Sequence, residues 1–284
     1  MSKQWQADHG FMTFAVGKDY LRAARAQAMS IKLTQGIKNF AVVVDQSASK
    51  LILDDDVSMF DKIIVIDHTA NGWDMTQEWM SFALSPWRHT IKTDADMLFT
   101  ASIDHWWTAM QYRDVCIATS VRDFRGDIIT SRWHRKLFDE NNLPNVYSAM
   151  TYFRYSRSAG NFFDTVRKIY EDWDWYAQNL LVKNDDPRPR TDEIFALASM
   201  ITGAENTTWP TDSLPTFVHM KEQLNQLSSS QPWYEQIPNY WHVDKLFVGN
   251  IAQQLPFHYH QKDWMDDKLY ASIYRDYSKL YHSS

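Results

Sequence analysis

An α/β fold with a mostly parallel central sheet is what this 284-residue chain predicts, on three observations. Short apolar runs alternate with helical patterns through the first half, the order that crossover connections produce. Runs such as "NFAVVVDQ" and "KIIVIDH" are continuously apolar, as strands covered on both faces require. Polar punctuation follows strand after strand: Gly17-Lys18-Asp19, Asp45-Gln46, Asp67-His68 and Asp94-Ala95-Asp96. Sheets of this class bind ligands at the carboxyl ends of their strands. Turn chemistry explains one or two of the four comfortably, and the aspartate pair least well.

Taken in order, "FMTFAV" (11–16) is a strand. "KDYLRAARAQAMSIKLT" (18–34) is a helix, with Tyr20, Ala24, Ala28 and Ile31 at helical spacing among good helix formers. Strands follow at 39–46 and 62–68, a helix at 73–84, a strand within "PWRHTIKTDADMLF" and another at 115–121. The second half is less regular. It holds a helix at 162–181, a loop at 183–190, and a helix at 191–203 with Thr191 as N-cap, acids in its first turn and Gly203 at its close. Residues 205–260 contain several prolines and short strand-like pieces, and "DDKLYASIYRDYSKLY" is a final helix. No repeat or low-complexity linker divides the chain, so a single domain over 1–284 is expected.

Composition narrows the class. Hydrophobic residues make up 44%, enough to bury a core, and 13 Trp with only 8 Gly describe a globular chain. A net charge of −6 speaks mildly against a general nucleic-acid binder. The single cysteine, Cys116, excludes a disulfide framework and a cysteine-based zinc site, and its apolar setting marks a buried structural thiol. The start carries no signal-peptide pattern, and no apolar run approaches the ~20 residues that span a bilayer. A soluble, cytoplasmic protein with no membrane partner is expected.

Asp94 and Asp96 stand at i and i+2, and on a strand such residues face one side. Two carboxylates there repel unless a cation lies between them. An oxygen-preferring divalent ion, Mn2+ or Mg2+, meets that need and keeps positions open for substrate phosphates. Two solvated turn acids are the plain alternative. "QQLPFHYHQKDW" (253–264) offers a further ligand, since His258 and His260 share one face of a strand-like stretch, and Lys262 can neutralise a phosphate. His219 and Lys221 form a weaker pair of the same kind. Incidental surface histidines are the plain reading of both.

With these residues in view, "KTDADMLF" resembles the Asp-x-Asp signature of GT-A fold glycosyltransferases. "HYHQKDW" is similar to the late His/Lys/Trp segment of the glycogenin and lipopolysaccharide-galactosyltransferase branch. The order of elements is similar over most of residues 11–265. Two departures stand out: the late segment is shorter, and Asp263 replaces a proline. The resemblance implies one Rossmann-like GT-A domain, with helices on both faces of the sheet and a C-terminal elaboration. Residues about 10–120 would bind the nucleotide-sugar, about 121–265 the sugar and acceptor, and 266–284 would form the terminal helix.

The resemblance also implies Mn2+ (or Mg2+) on Asp94 and Asp96, with either His258 or His260 as third ligand and His258 preferred. The implied donor is a nucleoside-diphosphate sugar, foremost a UDP-sugar. Val16, Gly17 and Tyr20 would lie near its base and ribose, and Arg88 would meet the donor. Lys262 would hold the diphosphate, with Trp264 in a loop closing over it. "NVYSAMTYF" (145–153) would line the sugar pocket, and Asp192 and Glu193 would stand at the reacting centre. One of them would take the acceptor proton if the sugar inverts; both would position it or stabilise an oxocarbenium-like state if it is retained. Ordinary helix-terminal charge is the plain reading of these acids, and a core aromatic that of Tyr20.

Between residues 120 and 168, nine Lys and Arg stand against five acids, among them Trp133, Tyr147, Tyr152 and Tyr155. Such a stretch suits a polyanionic acceptor, DNA for example, although a solvated mixed-charge surface explains it too. The chain is similar to glycosyltransferases of tailed phages, some of which decorate hydroxymethylated bases of their own DNA; a base in a duplex would have to be flipped out. Two other classes compete. A metal-dependent nucleotidyltransferase or phosphohydrolase is disfavoured by the single glycine of "AVGKDY", and a non-catalytic α/β binding protein would show no metal dependence.

Overall fold

β1 (Ala7–Ala15) buries both faces, with Phe11 and Ala15 in one core cluster and Met12 in another. That makes it a central strand. In the computed structural model, which describes residues 4–67, 77–129, 135–182, 190–203, 207–208 and 214–281, the first half continues with α1 (Lys18–Thr34), β2 (Phe40–Asp45), α2 (Gln46–Ser49), α3 (Asp56–Met59), β3 (Lys62–Ile66), α4 (Ser81–Leu84), β4 (Trp87–Asp94), β5 (Met97–Leu98), α5 (Asp104–Met110), β6 (Val115–Ala118), β7 (Ser120–Arg122) and β8 (Ile128–Ile129). The second half comprises α6 (Lys136–Glu140), β9 (Tyr147–Arg154), α7 (Arg157–Glu171), α8 (Trp173–Leu180), α9 (Thr191–Thr202), β10 (Thr216–His219), α10 (Trp233–Gln236), β11 (Asn239–His242), β12 (Lys245–Val248), β13 (Ile251–Ala252), β14 (Phe257–His258) and α11 (Asp267–Tyr281).

Six strands form the main sheet in the order β3-β2-β1-β4-β9-β6. The first four are parallel, and β9 runs antiparallel to both β4 and β6. One face packs against α1, α5 and α11, the other against α7 and α9, as the apolar runs predict. The chain leaves β1 toward β2 and β3, then returns to the opposite side of β1 with β4. That reversal is a topological switch point, and it opens a crevice at the carboxyl ends of β1 and β4. Gly17 follows β1 and Asp94 ends β4, so two of the punctuation marks meet there.

A second sheet, β5-β14-β10-β7-β8, lies beyond that crevice. β5 is the dipeptide directly after the aspartate turn. It pairs antiparallel with β14, Leu98 opposite Phe257 and Met97 opposite His258. β10 runs parallel to β14 and sets His219 beside His258. β11, β12 and β13 form a small antiparallel sheet.

Several expectations need correction. β1 begins at Ala7, because Ala7 through Phe14 pair with β4 even where the residues are polar. The helix expected at 73–84 lies partly outside the described residues, and its remainder is a 3-10 turn at Gln77–Met80 followed by α4. The helix expected at 162–181 begins at Arg157, capped by the Ser156 hydroxyl, and breaks at Asp172 into α7 and α8. Arg190, not Thr191, is the N-cap of α9, which makes no side-chain cap hydrogen bond. Cys116 is buried, and burial pushes its thiol up to about 12, in line with a structural role.

Two glycines matter, Gly17 at the crevice and Gly10 nearer the opposite end of β1. Gly17 has φ 86 and ψ 151, a region close to glycine-only, and its N–H reaches Asp45 Oδ1 at 3.3 Å. Gly10 lies beneath the Trp87 indole, and a Cβ there would sit 2.7 Å from the ring. Trp87 is itself buried and donates from Nε1 to Phe11 O at 2.9 Å. Gly10→Ala is therefore expected to lower stability by about 1–3 kcal/mol through overpacking. Chemical denaturation with an unchanged slope measures this, and an unshifted midpoint would show that Trp87 gives way freely.

Candidate metal and donor site

Asp94 is the last residue of β4, and Ala95-Asp96 form a turn before β5. The two carboxylates thus converge through a turn, and not as neighbours on one strand face. The β5–β14 pairing brings His258 to them, and the Tyr259 N–H fixes the turn by donating to Asp96 O at 3.1 Å. His258 Nε2 lies 3.1 Å from Asp96 Oδ1 and 3.9 Å from Asp94 Oδ2. One ligand atom from each of the three residues lies within 4.8 Å of the others. Burial works against charge on Asp96, but His258 and, further out, His260 outweigh it and hold the carboxyl below its usual value. Burial likewise lowers His258, while Asp96 and Asp94 together raise it above the ordinary imidazole. Two carboxylates and one imidazole suit a divalent ion such as Mn2+, so the residues present fit the implied metal.

Asp8, His9 and His89 form a second cluster of possible ligands at the opposite end of β1 and β4. There the two imidazoles stack face to face, 4.7 Å apart with planes 15° from parallel. His89 Nδ1 is already hydrogen-bonded to the Tyr152 hydroxyl at 2.8 Å and the cluster is more exposed than Asp94, Asp96 and His258, so the latter triad is the better candidate metal centre.

Beneath Asp94 lies Lys92, which is only 1% exposed. Its ammonium is 2.5 Å from Glu78 Oε2, donates to Asp94 Oδ1 at 3.1 Å and to Ser148 O at 3.3 Å. The two carboxylates offset desolvation and keep Lys92 charged. Ser148 in turn donates from N and from Oγ to Asp192 Oδ1, both at 2.8 Å, and Arg135 donates to Asp192 Oδ2 at 2.9 Å. Arg135 is sandwiched between the Phe138 and Tyr147 rings. A continuous polar chain therefore joins Asp94 to Asp192. Sequence reasoning missed Lys92, Glu78 and Ser148. A lysine inside an apolar strand, two residues before an aspartate on the same face, was the available signal.

The remaining candidates divide. Val16, Gly17 and Tyr20 stand at the crevice, and Lys262 Nζ lies 3.5 Å from the centre of the Tyr20 ring. His260 is exposed with φ 63, its ring 5.9 Å from that of His258, and it does not join the triad. Trp264 is buried and donates to Asn239 Oδ1 at 2.7 Å, so it belongs to the core and not to a closing loop. Arg88 sits at the entry of β4, paired with Asp8 at 3.8 Å. Six residues of strand put it about 20 Å from Asp94, away from the crevice. Glu193 turns into the protein, and only Asp192 reaches the chain of contacts described above. Lys221 follows β10, and burial pulls its ammonium down, with Asp192 opposing. The basic run is largely engaged: Arg125 pairs with Asp123, Arg154 with Asp114, and Arg167 and Lys168 with Asp164. Arg132 and Trp133 lie outside the described residues. No helix among the described residues is long and apolar enough to cross a membrane.

No protein-family model and no curated protein matches the sequence. Among solved structures, the apo bifunctional glycosyltransferase WbbM is similar at a TM-score of 0.56 and 10% identity, over 98% of this chain and 51% of its own. Apo mouse xyloside xylosyltransferase 1 gives 0.44 at 11% identity, over 72% and 84%. GlyE of Streptococcus pneumoniae TIGR4 gives 0.44 at 7%, over 71% and 46%. This chain spans about half the length of the WbbM and GlyE chains. The likeness to WbbM runs through nearly the whole chain and agrees with the sheet order and switch-point crevice: the protein has the GT-A-like fold of glycosyltransferases.

Proposed function

We propose that the protein moves a sugar from a nucleoside-diphosphate sugar, foremost a UDP-sugar, to an acceptor hydroxyl, with Mn2+ or Mg2+ required. The observation that carries this reading is the convergence of Asp94, Asp96 and His258 at the switch-point crevice. Held by these three residues, a divalent ion supplies positive charge against the departing diphosphate. Asp94 and Asp96 bind through oxygen and His258 through nitrogen, a set that favours Mn2+ over Mg2+. Val16, Gly17 and Tyr20 receive the nucleoside. Lys262, resting on the Tyr20 ring, is placed to swing onto a phosphate. Three donors occupy both oxygens of Asp192, which suits it to orienting the sugar side of the cleft better than to taking a proton.

The acceptor is proposed only as a hydroxyl compound. In the basic run that suited DNA, Arg125, Arg135, Arg154, Arg167 and Lys168 are in ion pairs with the protein's own acids, so duplex DNA enters as a test. A metal-dependent phosphohydrolase is the second reading, because the same triad could act on a nucleotide alone.

Three outcomes are expected. Incubation with a panel of nucleotide-sugars should release nucleoside diphosphate slowly with Mn2+ and not with a chelator, and Asp94→Asn with Asp96→Asn should abolish release. No release from any donor, with no thermal shift by any nucleoside diphosphate, overturns sugar transfer; release from unglycosylated nucleotides favours the second reading. Addition of hydroxymethylated DNA should leave turnover unchanged, and a DNA-dependent rise would restore DNA as the acceptor.

The third outcome concerns pH. His258 is raised in the folded protein, so its contribution to metal-free stability is full below about pH 6.5 and fades as pH climbs through its folded value. Asp96 is lowered, so its contribution is full above about pH 3.9 and fades as pH falls through its folded value. Metal binding needs His258 unprotonated. The Mn2+-induced rise in Tm should therefore grow between about pH 6 and about pH 8. A rise independent of pH would exclude His258 as a ligand.

A further inference from the structure

The geometry points to Lys92 as a positioning residue: it holds Asp94 as a one-oxygen metal ligand and ties that ligand to Ser148 on the sugar side of the cleft. The inference rests on the metal reading above and deepens it.

A lysine in the middle of a strand buried on both faces is costly unless its charge is matched. Lys92 is matched: it donates to Asp94 Oδ1 at 3.1 Å and to Ser148 O at 3.3 Å, and its ammonium pairs with Glu78 Oε2 at 2.5 Å. At 1% exposure, these neighbours enclose the ammonium and close it off from a substrate. Lys92 acts through its neighbours.

Its first effect is on Asp94. With Oδ1 bound to Lys92, the carboxylate presents Oδ2 toward His258 Nε2, 3.9 Å away. An orientation that offered both oxygens to one metal would break the Lys92 contact. Its second effect is on β9. The Ser148 carbonyl accepts from Lys92, while the Ser148 N–H and hydroxyl donate to Asp192. One ammonium therefore sets the distance between the metal carboxylates and the sugar-side acid. Glu78, in the 3-10 turn before α4, anchors Lys92 from the remaining direction.

A buried ion pair that serves the fold alone would look similar, and a paired variant separates the two roles. Lys92→Met with Glu78→Gln removes both members of the buried pair together. Neither Lys92 nor Glu78 is then left buried and unmatched by the other, and only Asp94 and the Ser148 carbonyl lose their contact. The paired variant should melt closer to wild type than Lys92→Met alone. Its Kd for Mn2+, measured by calorimetry or by electron paramagnetic resonance of free Mn2+, should rise about 10–100-fold, the range seen when a partner behind a metal ligand is removed. A wild-type Kd in the paired variant overturns the positioning role and leaves the metal reading standing. A wild-type protein that binds no Mn2+ overturns both. If the Met pair does not fold, Lys92→Gln with Glu78→Gln, whose amides can bond each other in the same space, is read by the same criterion.

Discussion

Two residue pairs of β-structure, Met97 opposite His258 and Leu98 opposite Phe257, hold the site together. Without them the aspartate turn would be an exposed loop at the end of β4, and its two carboxylates would spread apart. A side chain's period along a strand is two residues, so a slip of one would turn His258 to the other face. The Tyr259 N–H on Asp96 O and the parallel partner β10 remove that freedom. The second sheet thus gives Asp94, Asp96 and His258 a rigid scaffold that fixes their relative positions in advance.

The same pairing explains why the crevice tolerates so much buried charge. His258 shares the acid of Asp96, and Lys92 shares that of Asp94. Asp96 has His258 at 3.1 Å, and Asp94 has Lys92 at 3.1 Å with His258 at 3.9 Å, so repulsion between the carboxylates is offset without a metal. The difference in chemistry between the two neighbours matters. An imidazole can lose its proton and become a ligand; an ammonium between two carboxylates keeps its charge. Asp96 with His258 therefore forms the adjustable half of the site, and Asp94 with Lys92 the fixed half.

Much of the architecture was legible in the sequence because it rests on local patterns. Continuous apolar runs marked β2 and β3, and helical spacing marked α1 to the residue. Asp94 and Asp96 were found by spacing, although the reason differed: a turn, not a strand face, brings them together. What the sequence hid depends on direction along an element or on packing between distant ones. Arg88 is near Asp94 in number but a strand's length away in space. Trp264 is near Lys262 in number, yet a 3-10 turn sends Trp264 into the core and leaves Lys262 over Tyr20. Lys92 was hidden inside an apolar run, where only knowledge of Glu78 and Ser148 makes a lysine sensible.

Asp192 completes the argument about division of labour. Its helix, α9, is otherwise apolar and buried against α7 and the β9 face, so its first turn alone reaches the cleft. There Asp192 meets Ser148 and Arg135, and through Ser148 it meets Lys92. The first half of the chain supplies Asp94, Asp96 and the glycine turn at Gly17; the second supplies His258 and Asp192. Beside the β4–β9 and β5–β14 pairings that join the two halves, one peptide unit at the start of β9 adds a polar link: the Ser148 carbonyl accepts from Lys92, and the Ser148 N–H and hydroxyl donate to Asp192. Burial of that unit between strands leaves it little room to move, so Asp94 and Asp192 are held at a fixed separation across the crevice.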